Sequence, residues 1–451
     1  MDHYLHTTVL SGIESSQSVV SPESAQYISI ETKRTSSHVN KISITIDSAY
    51  VIKLLGLTTK LFSIKPVDGF QRKNVPLDYL RLSLNEEITR KLRDLLVKHV
   101  VINKLSTYLQ ANKIVGCNYP RLTTINTPEG GHWSFDFDLS LAHEIELKEW
   151  RNFSFKQPKR KKYKDLDKQV ANFLEHEAAV VKKLDSDKVE EQDWVYSESI
   201  LCDATGEILE PRITSNFWIN VKQHAGIDVL RDLFIGKQVG ETFVTNLLDM
   251  DHTMNEYENY RYYFQVTIKN IVKGGHLSLE LFKGNFKLKN KSDVHNKLME
   301  VFSFRNDESQ RRSTIEEVFH LLLSKHRFEV PKHLVLRRQE DLLLSMMKQP
   351  DYHVYKAQAD FEHHLELLAE KQLKEEILVD QISYQEGIHD EIVDAQHYFH
   401  LFGNKKLYEF LYFKPVVARL NQFNVPFNVA LLQQTFTREK TLNYIIHAMT
   451  N

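Results

Sequence analysis

The sequence predicts a multidomain α+β protein. An N-terminal α+β unit is followed by a small β-rich unit and then by an all-α C-terminal part. Three observations carry this expectation. The chain has 451 residues, too many for one ordinary core. Apolar residues alternate at period two near the N-terminus and again after Trp194, as in half-buried strands. From Val294 onward the pattern is almost wholly helical, broken at Val330-Pro331, Pro350, Gly403, Pro415 and Pro426.

Each element follows from its local pattern. Ile28 and Ile30, then Val39, Ile42, Ile44 and Ile46, predict two strands, with the polar stretch Lys33 to Ser37 as the turn between them. Asp47 is placed to cap a helix from Ser48 to Leu57. Ser63 to Pro76 reads as irregular. Asn85 to Asn112 is predicted helical, with Leu92, Leu95, Leu96, Val100 and Leu105 on one stripe. His132 to Leu147 alternates again through Trp133, Phe135, Phe137, Leu139 and Leu141. A helix is expected over Leu166 to Leu184. Strands are expected at Trp194 to Leu201, Phe217 to Val221, Thr242 to Leu247 and Tyr262 to Ile271. Tyr355 to Ser383 reads as one long helix burying Phe361, Leu365, Leu368 and Ile377. The divisions drawn are a flexible tail over 1–25, an α+β unit over 26–157, a basic linker and helix over 158–189, a β-rich unit over 190–273 and a helical unit over 274–451.

Composition narrows the function classes. Hydrophobic residues make up 42% and charged residues 26%, a globular balance. A formal net charge of −2 gives no global field toward nucleic acid or membrane, so any such contact needs a local patch. The basic run Lys159-Arg160-Lys161-Lys162, extended by Lys164, is one candidate, although such runs are usually solvated linker charge. Cys117 and Cys202 have neither a CxxC partner nor a nearby Cys/His set, which fits a reducing compartment and argues against structural zinc. Residues Met1 to Gln26 lack the apolar run of a secretory signal, and no stretch approaches the ~18 apolar residues of a membrane helix. A cytoplasmic protein without membrane contact is therefore expected. There is no GxxxxGK[ST], and no GxGxxG follows a strand, so no nucleotide cofactor is expected. His363-His364 stand together, and His397 and His400 share a helix face with Asp394. Without a third committed ligand such pairs are usually incidental, so no metal is expected.

Several segments resemble the trigger factor family, and the domain order strengthens the likeness over residues 26 to 451. Gly69-Phe70-Gln71-Arg72-Lys73-Asn74-Val75-Pro76 is similar to that family's ribosome-docking signature, Gly-Phe-Arg-Lys-Gly-Lys-Val-Pro. It departs at Gln71, Lys73 and Asn74, while Arg72 keeps a cation in register. The middle segment resembles an FKBP-type prolyl isomerase, most clearly at Ile235-Gly236-Lys237-Gln238-Val239-Gly240-Glu241. Phe328-Glu329-Val330-Pro331 and Arg438-Glu439-Lys440-Thr441-Leu442-Asn443-Tyr444 look like parts of its helical chaperone domain.

The resemblance implies an ATP-independent chaperone that meets nascent or unfolded polypeptides at the ribosome and can self-associate. Docking would use Gly69, Phe70, Gln71, Arg72 and Lys73 against an exit-tunnel protein and ribosomal RNA. Physically, an exposed aromatic supplies apolar burial of roughly 1.5–3 kcal/mol, and adjacent cations meet phosphates or carboxylates. The resemblance further implies peptidyl-prolyl cis-trans isomerisation in a partly degenerate pocket. That reaction needs no nucleophile and no metal. The barrier lies in the amide's partial double bond, and an apolar pocket favours the twisted transition state. Phe217, Ile227 and Phe264 fall on pocket positions, and Leu230 replaces a larger aromatic. Ser199 and His252 stand where aromatics are usual, and Asp228-Val229 replace Pro-Gly. All these apolar positions could equally be core residues of a β-rich unit. In the helical part, Leu407 to Phe413 and Met346-Met347 offer apolar surface suited to sequence-tolerant binding. Two alternatives stay open: a soluble prolyl isomerase, or a general holding chaperone without ribosome docking.

Overall fold

The computed structural model describes residues 27–35, 39–65, 67–70, 74–114, 120–141, 145–151, 155, 165–181, 188–221, 229–248, 260–274, 277–302, 310–347, 349, 351–389, 391–403, 407–413, 419–420, 423–424 and 427–450. Within them the chain mixes helices with antiparallel sheets in several packed units. The expected tail 1–25 and the basic run 159–162 lie outside the described residues.

The N-terminal unit is a four-stranded antiparallel sheet in the order β1-β2-β4-β3, built from β1 (Ile28–Arg34), β2 (Val39–Ile46), β3 (Arg121–Asn126) and β4 (Trp133–Ser140). The alternation read from sequence sets its faces. Ile42, Ile44 and Ile46 and the β4 residues Trp133, Phe135, Phe137 and Leu139 are all buried on one side. Asp47 caps α1 (Ser48–Leu61) as expected, its Oδ1 accepting from the Ala49 amide at 2.8 Å. Then come α2 (Leu77–Ser83) and α3 (Asn85–Leu96), a π-helical turn over Val97–Val101, and α4 (Ile102–Ala111). The continuous helix expected over Asn85 to Asn112 is thus interrupted by one wide turn. Strand β3 and helix α2 had no clear periodic signal.

The second sheet has the order β11-β6-β5-β8-β7, all pairs antiparallel. Its members are β5 (Trp194–Cys202), β6 (Ile208–Asn220), β7 (Thr242–Thr245), β8 (Tyr263–Val272) and the two-residue β11 (Phe427–Asn428), which follows a separate two-stranded ribbon of β9 (Arg419–Leu420) and β10 (Phe423–Asn424). Strand β6 is much longer than the expected Phe217 to Val221. Both faces of this sheet are apolar, and both are covered. One face, with Val195, Leu201, Phe217, Phe264, Val266 and Ile268, shares a single buried cluster with the N-terminal unit. The other presents Trp194 and Trp218 to the helical part, where the ring of Phe399 lies 4.0 Å from Trp194 and 4.9 Å from Trp218.

The helical part comprises α5 (Leu166–Val181), α7 (Leu279–Phe286), α8 (Lys291–Phe302), α9 (Gln310–Lys325), α10 (Lys332–Met346), α11 (Tyr352–Lys356), α12 (Phe361–Glu386), α13 (Ile392–Gly403) and α14 (Val429–Thr450), with α6 (Val229–Phe234) inside the β-rich segment. The long helix begins six residues later than Tyr355, after a separate turn of helix. Leu334 and Val335 of α10 pack on Ala369, Leu373 and Ile377 of α12, making a two-helix hairpin with its own small core. None of the described helices is long and apolar enough to cross a membrane.

Candidate functional site

Three regions bear on function: the loop before α2, the face of the second sheet that holds Phe217 and Phe264, and the α10–α12 hairpin.

At the loop, Gly69 adopts φ +86°, a left-handed conformation that glycine enters without steric cost. Phe70 follows with 39% of its surface exposed, and its ring lies 4.9 Å from that of Tyr79, which is 44% exposed. Helix α2 buries only Leu80, leaving Leu77 and Leu82 exposed beside this pair. The loop thus presents an apolar patch at its tip. Gln71, Arg72 and Lys73 lie outside the described residues.

Phe217 and Phe264 have a different setting. The register places Phe217, Ser197 and Ile268 in one cross-strand row, Ser215, Ser199 and Val266 in the next, and Leu201 beside Phe264 in the third. Period two puts all of them on one face. Neither Phe217 nor Phe264 is open to solvent, at 5% and 0% exposure. Ile227 and His252 lie outside the described residues, and nothing is described for the side chain of Leu230 on α6.

This face is covered by the N-terminal unit. The π turn carries His99 onto it. His99 Nδ1 and Ser215 Oγ share a hydrogen bond of 2.6 Å, and the imidazole lies 5.0 Å from the Phe264 ring. Burial holds the imidazole pKa well below its ordinary value, with Lys98 adding to the effect, so His99 is neutral near pH 7. The Asn103 amide donates to the Thr214 carbonyl at 3.4 Å, and the Lys98 ammonium donates to the Leu248 carbonyl at 2.9 Å. In the same contact, Thr58 and Tyr262 share a buried hydroxyl hydrogen bond of 2.7 Å, Phe62 stacks on Tyr260 at 5.1 Å, and Lys53 pairs with buried Glu210 at 2.6 Å. No sequence signal marked His99, because a lone histidine on an apolar helix stripe looks like any core histidine.

The hairpin carries several of the exposed apolar side chains among the described residues. Leu336 and Leu344 of α10, Met347, Val354 and Tyr355 near α11, and Leu367 and Leu368 of α12 are all exposed, Val354 to 68%. Leu368, expected on the buried stripe, faces out, while its neighbours Leu365 and Ala369 face the core. A cavity of about 430 Å³ opens beside α12, with Leu323, Phe328 and Leu367 among its walls and Arg327, Lys371 and Lys374 adding cations. Phe328 of the Phe328-Glu329-Val330-Pro331 segment therefore lines an accessible hollow.

The segment Arg438 to Tyr444 is a structural hub. Arg438 donates to both Asp380 oxygens at 2.8 and 2.7 Å and pairs with Glu376, which Arg338 also holds through two 2.8 Å contacts. Glu439 takes the Arg311 guanidinium at 2.7 Å and the amides of Tyr412 and Phe413 at 3.1 Å. Lys440 reaches Asp394, the carboxylate near His397 and His400, at 2.8 Å. Among the described residues, no three His, Cys, Asp or Glu side chains gather as a metal site. Most of the apolar residues of Leu407 to Phe413 pack inside: Leu407, Phe410, Leu411 and Phe413 are buried.

No protein-family model matches this chain, and no curated protein matches it. Among solved structures, it is similar to one described as "Promiscuous Substrate Recognition in Folding and Assembly Activities of the Trigger Factor Chaperone". The identity is 14%, the match covers 92% of this chain and 99% of that one, and the TM-score is 0.36. A superposition that loose carries no functional argument, so the functional reading rests on this chain's own residues.

Proposed function

We propose that the protein is an ATP-independent holding chaperone that binds unfolded or nascent polypeptide on the outer face of the α10–α12 hairpin. The observation that carries this is the row of exposed apolar residues there, Leu344, Met347, Val354 and Leu367 among them, interspersed with charged side chains on a helical arm. Soluble monomers rarely keep such a surface without a partner. Binding by flexible Met and Leu side chains is weak, tolerant of sequence and driven by burial, so it needs no nucleotide.

The loop at Gly69 and Phe70 supports a place of action at the ribosome, in the cytoplasm. The exposed Phe70–Tyr79 pair would enter an apolar hollow on an exit-tunnel protein, and Arg72 and Lys73 would meet ribosomal RNA phosphate. Prolyl isomerisation at Phe217, Ile227, Leu230 and Phe264 requires that a peptide reach a face now covered by His99. The proposal therefore puts holding before catalysis.

The experiment is suppression of aggregation of a chemically denatured client, without nucleotide, comparing the wild type with a variant carrying Leu344→Ser, Met347→Ser, Val354→Ser and Leu367→Ser. All four side chains are largely exposed, so the fold should be retained. The variant should lose most of the suppression. Equal suppression by both proteins would overturn the assignment to the hairpin.

A further inference from the structure

The cavity beside α12 is built differently from the open face of the hairpin. It lies where the last turn of α9 meets α12. Leu367, Glu370, Lys371 and Lys374 are spaced i, i+3, i+4 and i+7, so all four line it from one side of α12. Opposite them stand Leu323 in the last turn of α9 and Phe328 just beyond that helix. Buried His326 forms a further wall. The Lys148 amide donates to His326 Nε2 at 3.0 Å, so Nδ1 carries the proton and donates to the Leu322 carbonyl at 2.8 Å. Both ring nitrogens are thus engaged within the protein, and the ring is fixed in place.

Charge around the cavity is unbalanced. Three cations, Arg327, Lys371 and Lys374, line it against one carboxylate, Glu370. Lys374 pairs with Glu370 at 2.6 Å, while Lys371 reaches Glu316 at 3.4 Å and Glu375 at 3.7 Å. Arg327 is exposed and has no ion-pair partner among the described residues. The lysine pairs are partly open to water and contribute little, so both ammonium groups can turn toward a bound anion. One uncompensated guanidinium matches one carboxylate, which it can hold through two parallel hydrogen bonds. Leu323, Phe328 and Leu367 offer an apolar bed for the rest of such a molecule. The volume of about 430 Å³ falls within the roughly 300–1,000 Å³ of small-molecule sites.

We propose that this cavity binds a small aliphatic monocarboxylate, with its carboxylate on Arg327 and its hydrocarbon chain against Leu323, Phe328 and Leu367. Lys371 and Lys374 add to the positive field around the anion. An alcohol of the same length would leave the guanidinium unanswered, and an ammonium would meet three like charges. The site therefore selects the acid. It shares only Leu367 with the surface assigned to polypeptide, so either assignment can fail without the other.

The test is calorimetric titration of the full chain with decanoate at pH 8, beside 1-decanol and decylammonium. The protein carries Leu344→Ser, Met347→Ser and Val354→Ser, so that the open hairpin face does not take the hydrocarbon. Decanoate should occupy a single site and bind at least tenfold tighter than either analogue. Arg327→Gln should weaken decanoate at least tenfold and leave decanol unchanged, whereas Leu367→Asn should weaken both. Arg327 and Leu367 are exposed, so both variants should fold, and an unchanged thermal midpoint checks this. Absence of decanoate binding would overturn the proposal, as would equal affinity for acid and alcohol or a decanoate affinity unmoved by Arg327→Gln. Binding seen only when the three hairpin side chains are intact would also overturn it, because the hydrocarbon would then lie on the open face. Arg327→Gln should suppress aggregation as well as the wild type does, which separates failure of this site from failure of the holding activity.

Discussion

Glu375 of α12 is the residue with the sharpest electrostatic consequence. It is buried, its Oε2 accepts from the Tyr412 hydroxyl at 2.7 Å, and its Oε1 has no hydrogen-bond partner. Burial pushes its carboxyl up to about 7, against an ordinary value near 4.5, although Tyr412 and Lys371 pull the other way. A carboxyl whose folded pKa is raised stabilises the fold below its unfolded pKa, and that stability is lost as pH rises through the folded value. The window is therefore roughly pH 4.5 to 7, and a shift of this size corresponds to about 3 kcal/mol. Glu375→Gln keeps a partner for Tyr412 and removes the charge. Urea unfolding at pH 8 should show the variant more stable by up to about 3 kcal/mol, with the difference vanishing near pH 4. A pH-independent difference would show that the buried charge is not the cause. Burial pushes the equally buried Glu439 carboxyl up as well, against the pull of Arg311 and of the Phe413 and Tyr412 amides.

Elements differ in how they were legible. The Asp47 cap, the β2 and β4 alternations and the α3 stripe could be read directly, because each is a local pattern with one physical solution. The π turn at Val97–Val101 could not, since Val-Lys-His-Val-Val fits an ordinary helix as well. What selects the wide turn is the docking of His99 on Ser215 and Phe264 while α3 and α4 stay packed on the first sheet. Deleting Val97 tests this. Loss of one residue closes the wide turn to an ordinary helical one, leaves α3 and α4 on their faces and draws His99 away from Ser215 and Phe264. The deletion should lower the thermal midpoint by several degrees and raise hydrogen exchange along Ile213–Ile219. An unchanged midpoint would mean that the wide turn has no role in docking. Strand β11 was also invisible to sequence reading, since two residues carry no periodicity, and its place beside β6 depends on where α14 begins.

On the scale of the whole molecule, the second sheet lies between the N-terminal unit and the helical part, with a buried cluster on either face. The two external surfaces proposed for partners lie elsewhere, at the Phe70 loop and on the hairpin. Co-sedimentation with ribosomes at low and high salt tests the loop. The wild type should pellet at low salt and be released as salt rises, because phosphate contacts weaken by counterion exchange. The triple variant Phe70→Ala, Arg72→Ala, Lys73→Ala should stay in the supernatant. No pelleting of the wild type at any salt would remove the ribosome from the proposal and leave a general holding protein.

Period two and period 3.6 marked the apolar faces of β2, β4 and α3, because both are properties of a local chain in contact with water, while β3, α2 and β11 carried no such signal. The irregular segment that holds Phe70 was legible as well. What each apolar face packs against was set by contacts between residues distant in sequence. Burial is favourable whatever the partner, so a period cannot distinguish a pocket open to a ligand from a face closed by a helix. That choice rests on shape and on matched polar atoms distant in sequence, such as His99 with Ser215 and Arg438 with Asp380, and no local pattern encodes them.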